Sequence, residues 1–370
     1  MKNLNMFCPI GGTGYGITSL NIFKKLYTLN HNISLFPIGN NISYNAEHEK
    51  EILQRCLQNN QTFDADAPCL KIWHQNDLAS RIGRGRYFVF PFFELDKLTQ
   101  LEVHHLNSTD ELFVTSEWGK RILIDNGVTK HITVAPLGVD MDIFQSPLKI
   151  KIENPNYIFM HIGKWERRKS HDFLIQAFNL AFDVNDNVEL WLMPYNPFLN
   201  QQQEAHWISL AQNCKLASKI KIFNRVDTQY QLAEFIYHTD CGVFLSRAEG
   251  WNNEIIETMA LNKPIIATNY SAHTEYCTKD NSYLVDITET EPAFDDKWFK
   301  GEGNWAKLDK DQLDQTIFHM RSVYSNNIKT NPNGLETAKK YNWTNTAQII
   351  SSQIFKTDYH ANTKKKRRRK

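Results

Sequence analysis

Short apolar runs alternate with amphipathic segments along most of the chain. We predict strands for the runs at 4–10, 33–38, 69–73, 87–92, 111–115, 132–136, 157–162, 188–193, 220–223, 241–245, 264–268 and 283–285. Helical patterns lie between several of them, at 16–29, 118–126 and 172–182, and the last repeats its apolar positions along one face of a helix. Nearly continuous apolar strands that alternate with helices are typical of parallel sheets covered on both faces.

The pattern forms two series, so we predict an α/β protein with two doubly wound, Rossmann-like domains facing each other across a cleft. The domains would span 1–150 and 151–340, joined by the polar, proline-bearing stretch 145–155. The amphipathic segment 341–355 predicts a last helix, within 341–360, and 361–370 is a basic tail. Ligands of such sheets bind at the carboxyl ends of the strands, so the cleft is the expected site.

Composition agrees with two packed domains. The chain has 370 residues, of which 41% are hydrophobic and 12% aromatic, enough for two cores. No stretch approaches the roughly 20 continuous apolar residues of a membrane span. The first residues lack the apolar run and cleavage site of a signal peptide. We therefore expect a cytoplasmic protein.

Charge is concentrated at the C-terminus. The net charge is +1, but residues 364–370 are all basic, and without these seven the chain has 35 basic and 41 acidic residues. A net charge of −6 on the rest argues against a nucleic-acid-binding face. The tail is interpreted as a solvated end. Alternatives are peripheral attraction to anionic lipid, a localisation signal or an engineered addition.

The cysteines indicate neither a metal site nor a disulfide framework. Six are scattered along the chain without a C-x-x-C pair. We expect the cysteines to be reduced. We also expect the protein to hold no metal and to need no cofactor.

A glycine-rich turn, GGTGYG at 11–16, follows the first predicted strand and opens a helix. Its glycines would let backbone N–H groups approach a ligand. It is interpreted either as a substrate-contacting loop or as a tight turn without a ligand. Dinucleotide binding is disfavoured, because the glycine spacing differs and 33–40 carries no acidic residue.

Four cations lie together at 163–169 (GKWERRK), between a strand and the helix at 172–182. At the carboxyl end of a strand they would suit an anionic group such as a pyrophosphate. The alternative is a solvated basic loop.

Two glutamates follow the strand at 241–245. Glu249 would lie in the loop, and Glu257 about one turn into a helix that begins near Asn253, a residue type suited to an N-cap. Carboxylates accept hydrogen bonds from vicinal hydroxyls, while cations and a helix N-terminus hold phosphate. A sugar nucleotide has both parts.

With these residues, the chain resembles retaining glycosyltransferases of the GT-B fold, in glycosyltransferase family 4. The resemblance covers the glycine-rich turn, 135–140 (APLGVD), 163–169, the two glutamates, and 259–268 (MALNKPIIAT). It implies that the last helix crosses back to the N-terminal domain. It also implies sugar transfer from a nucleotide-sugar donor, with retention of anomeric configuration and without a metal.

The resemblance further implies roles for individual residues. Lys164 and Lys169 would contact the donor diphosphate, with Gly12 near the phosphates from the other side of the cleft. Glu257 would bind the ribose hydroxyls and Glu249 the transferred sugar. Cations in these places would stabilise the charge that develops on the leaving diphosphate.

The donor-sugar loop departs from the family pattern Glu-Gly-Phe-Gly-Leu-Pro. This chain has Gly250, Trp251, Asn252 and Asn253, followed by Glu254. All but Glu254 are kept as donor-binding candidates. Glu254 would either bond a hydroxyl or complement the helix dipole.

The acceptor side also departs from the family. Many members carry a histidine after the strand at 87–92, whereas this chain continues with Phe93 and Glu94. We take Glu94 as the acceptor-side catalytic candidate, although it could instead be a carboxylate at a helix entry. His74, at the end of another strand, is a second acceptor-side candidate, or an ordinary structural histidine.

The sequence thus predicts a hexosyltransferase-type enzyme acting on a glycan, a lipid-linked or another hydroxyl acceptor. Two alternatives keep the fold: a sugar-nucleotide epimerase, and a catalytically silent sugar-nucleotide-binding subunit. A dehydrogenase is disfavoured.

Overall fold

A computed structural model describes residues 1–39, 42, 44, 47–145, 154–295 and 297–356. Within these residues the chain forms two six-stranded sheets, whose strands all pair in parallel, and one antiparallel hairpin. The predicted α/β class and the two Rossmann-like series are confirmed. Most of the predicted linker (146–153) and the tail lie outside the described residues.

The first sheet has the strand order β2-β1-β3-β4-β5-β6. Its strands are β1 (Lys2–Cys8), β2 (His31–Pro37), β3 (Cys69–Lys71), β4 (Tyr87–Val89), β5 (Glu111–Val114) and β6 (His131–Val134). The helices of this half are α1 (Gly14–Thr28), α2 (Glu47–Gln58), α3 (Gln100–Asn107), α4 (Glu117–Asp125) and α5 (Met141–Phe144). The order reverses between β1 and β3, which is where open α/β sheets form a ligand crevice.

The second sheet has the order β12-β11-β10-β7-β8-β9. Its strands are β7 (Tyr157–Ile162), β8 (Val188–Met193), β9 (Ile220–Ile222), β10 (Cys241–Phe244), β11 (Ile265–Asn269) and β12 (Tyr283–Asp286). The helices of this half are α6 (His171–Ala181), α7 (Gln201–Gln212), α8 (Gln229–Tyr237), α9 (Asn253–Ala260), α10 (Lys310–Ser325) and α11 (Pro332–Lys340). The order reverses between β10 and β7, so the loops after these two strands share a crevice.

Helices cover both sheets, as the apolar strands predicted. Every residue of β7 and of β10 is buried. Helix α6 buries Phe173, Leu174 and Phe178 on the face that the periodicity indicated. Each of the twelve predicted strands is present, with ends that differ from the prediction by a few residues.

The hairpin was not predicted. Strands β13 (Thr290–Phe294) and β14 (Lys300–Ala306) pair antiparallel, with an irregular register near their connection. Trp305 and Ala293 pack with Ala248, while Leu95 of the first half packs against the same cluster. The hairpin therefore lies between the two halves of the chain.

The last helix, α12 (Trp343–Ile354), crosses back to the first half. Ser351 Oγ lies 2.7 Å from His31 Nε2, and Thr346 Oγ1 donates to the carbonyl of Pro136. The ring of Phe355 stacks on that of His31. The predicted crossover is confirmed, and it couples the two halves.

Candidate active site

The loops after β7 and β10 meet in a buried cluster of charges. The Glu249 carboxylate forms ion pairs with Arg168 Nη1 at 2.7 Å and with Lys169 Nζ at 2.6 Å. All three side chains are buried. Burial alone would raise the pKa of Glu249, but the two cations outweigh it and hold that pKa well below its ordinary value. The carboxylate therefore stays ionised.

Arg168 is the centre of this cluster, although it was not among the chosen site residues. Its Nη2 lies 2.6 Å from Glu166 and 3.9 Å from Glu94, and its Nη1 also donates to the carbonyl of Ala248. The interpretation of 163–169 as a solvated basic loop is wrong for Arg168 and Lys169. Burying these cations requires carboxylate partners, and the cluster supplies them.

Backbone geometry holds the cluster in place. Ser170, Asn252 and Ser271 all have a left-handed conformation, which costs free energy in residues other than glycine. Ser271 Oγ accepts a hydrogen bond from the backbone N–H of Glu249, at 2.8 Å. Three unfavourable backbone positions thus flank the loops that carry the charges.

Glu257 lies in a different environment. It is buried on α9, where Gln229 of α8 hydrogen-bonds to it. Burial, and next the charge of Glu254, raise the pKa of Glu257 well above its ordinary value. Helix α9 begins at Asn253, as expected, but its N-cap is Asn252 rather than Asn253. Glu254 lies in the first turn of α9. Burial would lower the pKa of Lys169, but the charge of Glu249 and then that of Glu254 outweigh it and raise this pKa.

The predicted donor-sugar loop is packed between the two halves. The Gly250 carbonyl accepts a hydrogen bond from Thr115 Oγ1 after β5. The ring of Trp251 is buried against Tyr276, with a centroid distance of 4.7 Å, and against Tyr341 before α12. The loop therefore contacts both the first sheet and the segment that leads into α12.

Asn252 belongs to a buried hydrogen-bond chain. Its Nδ2 lies 3.0 Å from Nε2 of His273, whose Nδ1 lies 3.0 Å from the Thr268 carbonyl. Burial lowers the pKa of His273 to about 4, so the imidazole is neutral near pH 7, and its Nδ1–H donates to that carbonyl. The Nδ2 of Asn252 is thereby oriented, while the Oδ1 atoms of both Asn252 and Asn253 are buried without a hydrogen-bond partner among the described residues.

The first half contributes Glu94 and His74. Glu94 lies between β4 and α3, and helix α3 is capped by Thr99, so Glu94 is not a helix-entry carboxylate. Burial raises its pKa despite Arg168. His74 is exposed in the loop after β3, 4.6 Å from the ring of Tyr15. Local desolvation and the nearby charge of Lys164 lower the pKa of His74.

The glycine-rich turn faces the second half. Arg225, in the loop after β9, donates a hydrogen bond to the Gly12 carbonyl. A Cβ at Gly12 would lie 2.1 Å from the Arg225 guanidinium, so a larger residue there would displace this exposed side chain and break its contact with the Gly12 carbonyl. Lys164 is half-exposed, 3.9 Å from Glu166. Neither Arg225 nor its contact with Gly12 was predicted, since nothing in the local sequence relates them.

The site residues therefore do not form one group. Glu249 and Lys169 are in direct contact, with Glu94 close by through Arg168. Gly12 contacts Arg225 of the second half, the charge of Lys164 acts on His74, and Glu257 lies apart on α9. Among the described residues, no group of three or more His, Cys, Asp or Glu side chains is arranged to hold a metal ion. Within the same ranges, no helix is both long and apolar enough to cross a membrane.

Comparisons with known proteins show what the chain is similar to. Residues 156–297 match the family model described as glycosyl transferases group 1. A curated relative, the uncharacterized glycosyltransferase MJ1059 of Methanocaldococcus jannaschii, is 26% identical over 172 residues, which are 43% of this chain. The match spans about two fifths of that relative's length, 40%.

Solved structures resemble the whole chain. Sucrose-phosphate synthase from Thermosynechococcus elongatus has a TM-score of 0.70 at 14% identity, covering 95% of this chain and 98% of that one. Anabaena HepE, in complex with UDP and glucose, has a TM-score of 0.70 at 15% identity. The match covers 96% of this chain and 99% of the HepE chain. The chain has the GT-B fold. With the family match in its second half, this supports a GT-B glycosyltransferase.

Proposed function

We propose that this protein is a retaining glycosyltransferase that moves a sugar from a nucleotide-sugar donor to a hydroxyl acceptor. The buried cluster of Arg168, Lys169 and Glu249 at the strand-order reversal of the second sheet is the observation that carries the proposal. A fixed carboxylate beside fixed cations suits a ligand with a hydroxyl-bearing ring and a diphosphate.

In this proposal, Lys164 and Lys169 hold the diphosphate, while Gly12 lies beside it. Glu249 accepts hydrogen bonds from the transferred sugar, and Glu257 binds the ribose. The bond from the anomeric carbon to the phosphate oxygen breaks, its electron pair leaves with the diphosphate, and the acceptor oxygen bonds to that carbon. The cations stabilise the departing charge, a task that a metal performs in other enzymes, so we propose catalysis without a metal.

On the acceptor side, Glu94 would orient the attacking hydroxyl and take its proton. Its raised pKa makes it a better proton acceptor than an ordinary carboxylate. His74, exposed near Lys164, would contact the same substrate. Tight packing of the loop at 250–253 between the halves would exclude water and protect the donor from hydrolysis.

The first test is a thermal-shift panel of UDP-, GDP-, ADP- and dTDP-sugars with their free nucleotides and NAD. UDP-glucose is the first donor to try, because the HepE neighbour was also solved with it. A saturating ligand, at 100 times its dissociation constant, stabilises by about 2.7 kcal/mol. A shift with one nucleotide-sugar series supports the donor site. A shift with NAD alone, or silence throughout, would contradict it.

The second test follows the reaction. Nucleotide release that requires an acceptor, and survives EDTA, supports transfer without a metal, whereas donor consumption with no acceptor would instead indicate an epimerase. NMR of the product then gives the anomeric configuration. An inverted product would overturn retention while leaving the transferase proposal intact.

A further inference from the structure

Three exposed aromatic rings lie on two loops of the second half, and Lys164 is close to one of them. Tyr195 and Phe198 lie in the loop after β8, and Trp298 lies in the connection between β13 and β14; they are 47%, 48% and 59% exposed. The rings of Phe198 and Trp298 are in contact, with centroids 5.6 Å apart. We call these three residues the aromatic rim.

Each ring of the aromatic rim has a cation beside it. Lys164 Nζ lies 5.6 Å from the centre of the Phe198 ring, and Lys297 Nζ lies 5.8 Å from that of Trp298. The Arg225 guanidinium lies 5.3 Å from the centre of the Tyr195 ring. Each exposed ring of the rim is therefore paired with a positively charged side chain.

The aromatic rim is attached to the site rather than isolated from it. Asn196 donates a hydrogen bond to the Trp165 carbonyl at 2.8 Å, which joins the rim loop to the loop that carries Lys164 and Arg168. Lys297 Nζ donates to the Phe198 carbonyl and joins the hairpin to the rim loop.

The hairpin extends this connection to the acceptor side. Asp96 lies two positions after Glu94. Its carboxylate accepts a hydrogen bond from the backbone N–H of Asn304 in β14, at 2.7 Å. The hairpin thus runs from the Glu94 region to the aromatic rim. An acceptor longer than one sugar, with its reacting end at Glu94, could therefore extend along the hairpin to the aromatic rim.

We propose that the aromatic rim binds the outer part of an anionic saccharide acceptor, one that carries carboxylate or phosphate groups. Aromatic faces pack against the apolar C–H faces of sugar rings, and Arg225 and Lys297, which the proposed donor site does not use, pair with the anionic substituents. The proposal extends the acceptor side of the proposed function, on which it rests, and it names the class of substrate.

The test is calorimetric titration, which needs no turnover, with tetragalacturonate as the anionic probe and maltotetraose as the neutral one. Tetragalacturonate should bind, and Trp298→Ala should weaken its binding about tenfold, or about 1.4 kcal/mol. Phe198→Ala should act in the same direction. Phe318→Ala is the matched control, since this aromatic residue is 68% exposed on α10 outside the rim, and it should bind as the parent does.

Three outcomes would overturn the proposal: no binding of tetragalacturonate, equal binding of maltotetraose, or full affinity in the Trp298 variant. The UDP-glucose thermal shift separates this failure from failure of the proposed function. A protein that binds donor but not tetragalacturonate refutes the rim alone. One that binds tetragalacturonate through Trp298 but no donor refutes the donor site alone.

Discussion

Glu249 and Glu257 are the same residue type on one loop–helix segment, yet their surroundings drive them in opposite directions. Two cations contact Glu249 and lower its pKa, whereas Glu257 has burial and the charge of Glu254, which raise it. The comparison shows that the charge of a buried carboxyl group depends on the neighbours that the fold supplies, not on burial alone. One glutamate is a permanent anion and the other a weakened acid.

The largest effect on stability should come from removing the charge of Arg168, which lowers the pKa of Glu249 and has no counterpart beside Glu257 in the described part of the chain. Arg168→Met would leave Glu249 and Glu166 short of a buried partner, so we expect a loss of about 3–5 kcal/mol in the free energy of unfolding. Urea unfolding measures it. Lys164→Met is the control, since its half-exposed side chain should change stability by less than about 0.5 kcal/mol. Equal effects of the two substitutions would refute the central place of Arg168.

Neutralising Glu249 itself should damage catalysis. Glu249→Gln keeps the shape but removes the negative charge beside the transferred sugar, and we expect turnover to fall about 100-fold. The measurement is nucleotide release at saturating donor. Glu257→Gln is the counterpart. It should mainly raise the donor KM, because Glu257 is proposed to bind the ribose and its raised pKa already favours the neutral carboxyl group. Unchanged kinetics in both variants would remove the glutamates from the proposed site.

The pH dependence of stability should differ in sign between the two glutamates. A raised pKa means that folded Glu257 retains its proton when the unfolded chain has lost it, so its contribution is complete below about 4.5 and declines as pH rises. Glu249 has a lowered pKa, so its contribution to the free energy of unfolding is complete above about pH 4.5 and is lost as the pH falls.

Denaturant unfolding between pH 3 and 8 would separate them. Relative to the parent, Glu257→Gln should reduce the decline of stability on the alkaline side, and Glu249→Gln the decline on the acid side. Each carboxyl can change the folding equilibrium by at most about tenfold per pH unit. Parallel profiles for the two variants would contradict the opposite pKa directions.

The smallest effect concerns the contact that holds the Glu249 loop from the other half. Thr115→Val removes the hydroxyl that donates to the Gly250 carbonyl, and should cost about 1 kcal/mol of stability with a modest rise in donor KM. Thr129→Val is the control. That exposed hydroxyl donates to Asn107 within the first half, so its loss should leave the donor KM unchanged. A larger KM change in the control would argue against the cross-cleft contact.

Much of the fold could be predicted because apolar periodicity is a local property. Strands buried on both faces appear as continuous apolar runs, and all twelve that were predicted from such runs are present. The hairpin was missed because β13 and β14 lack a continuous apolar run and carry glycine, proline and charge. Its ordering depends on Trp305, Ala248 and Leu95, which are far apart in sequence.

The sequence by itself determined the doubly wound pattern, an amphipathic last helix and the two loops that carry cations and glutamates, because each rests on residues close together in the chain. Only the tertiary structure decided that Arg168 is the cation at the centre, that Arg225 meets Gly12, and that the two glutamates differ in charge. The first two facts depend on side chains that are far apart in sequence and meet only in the fold. The third depends also on how strongly burial desolvates each carboxyl group, which no local spacing encodes.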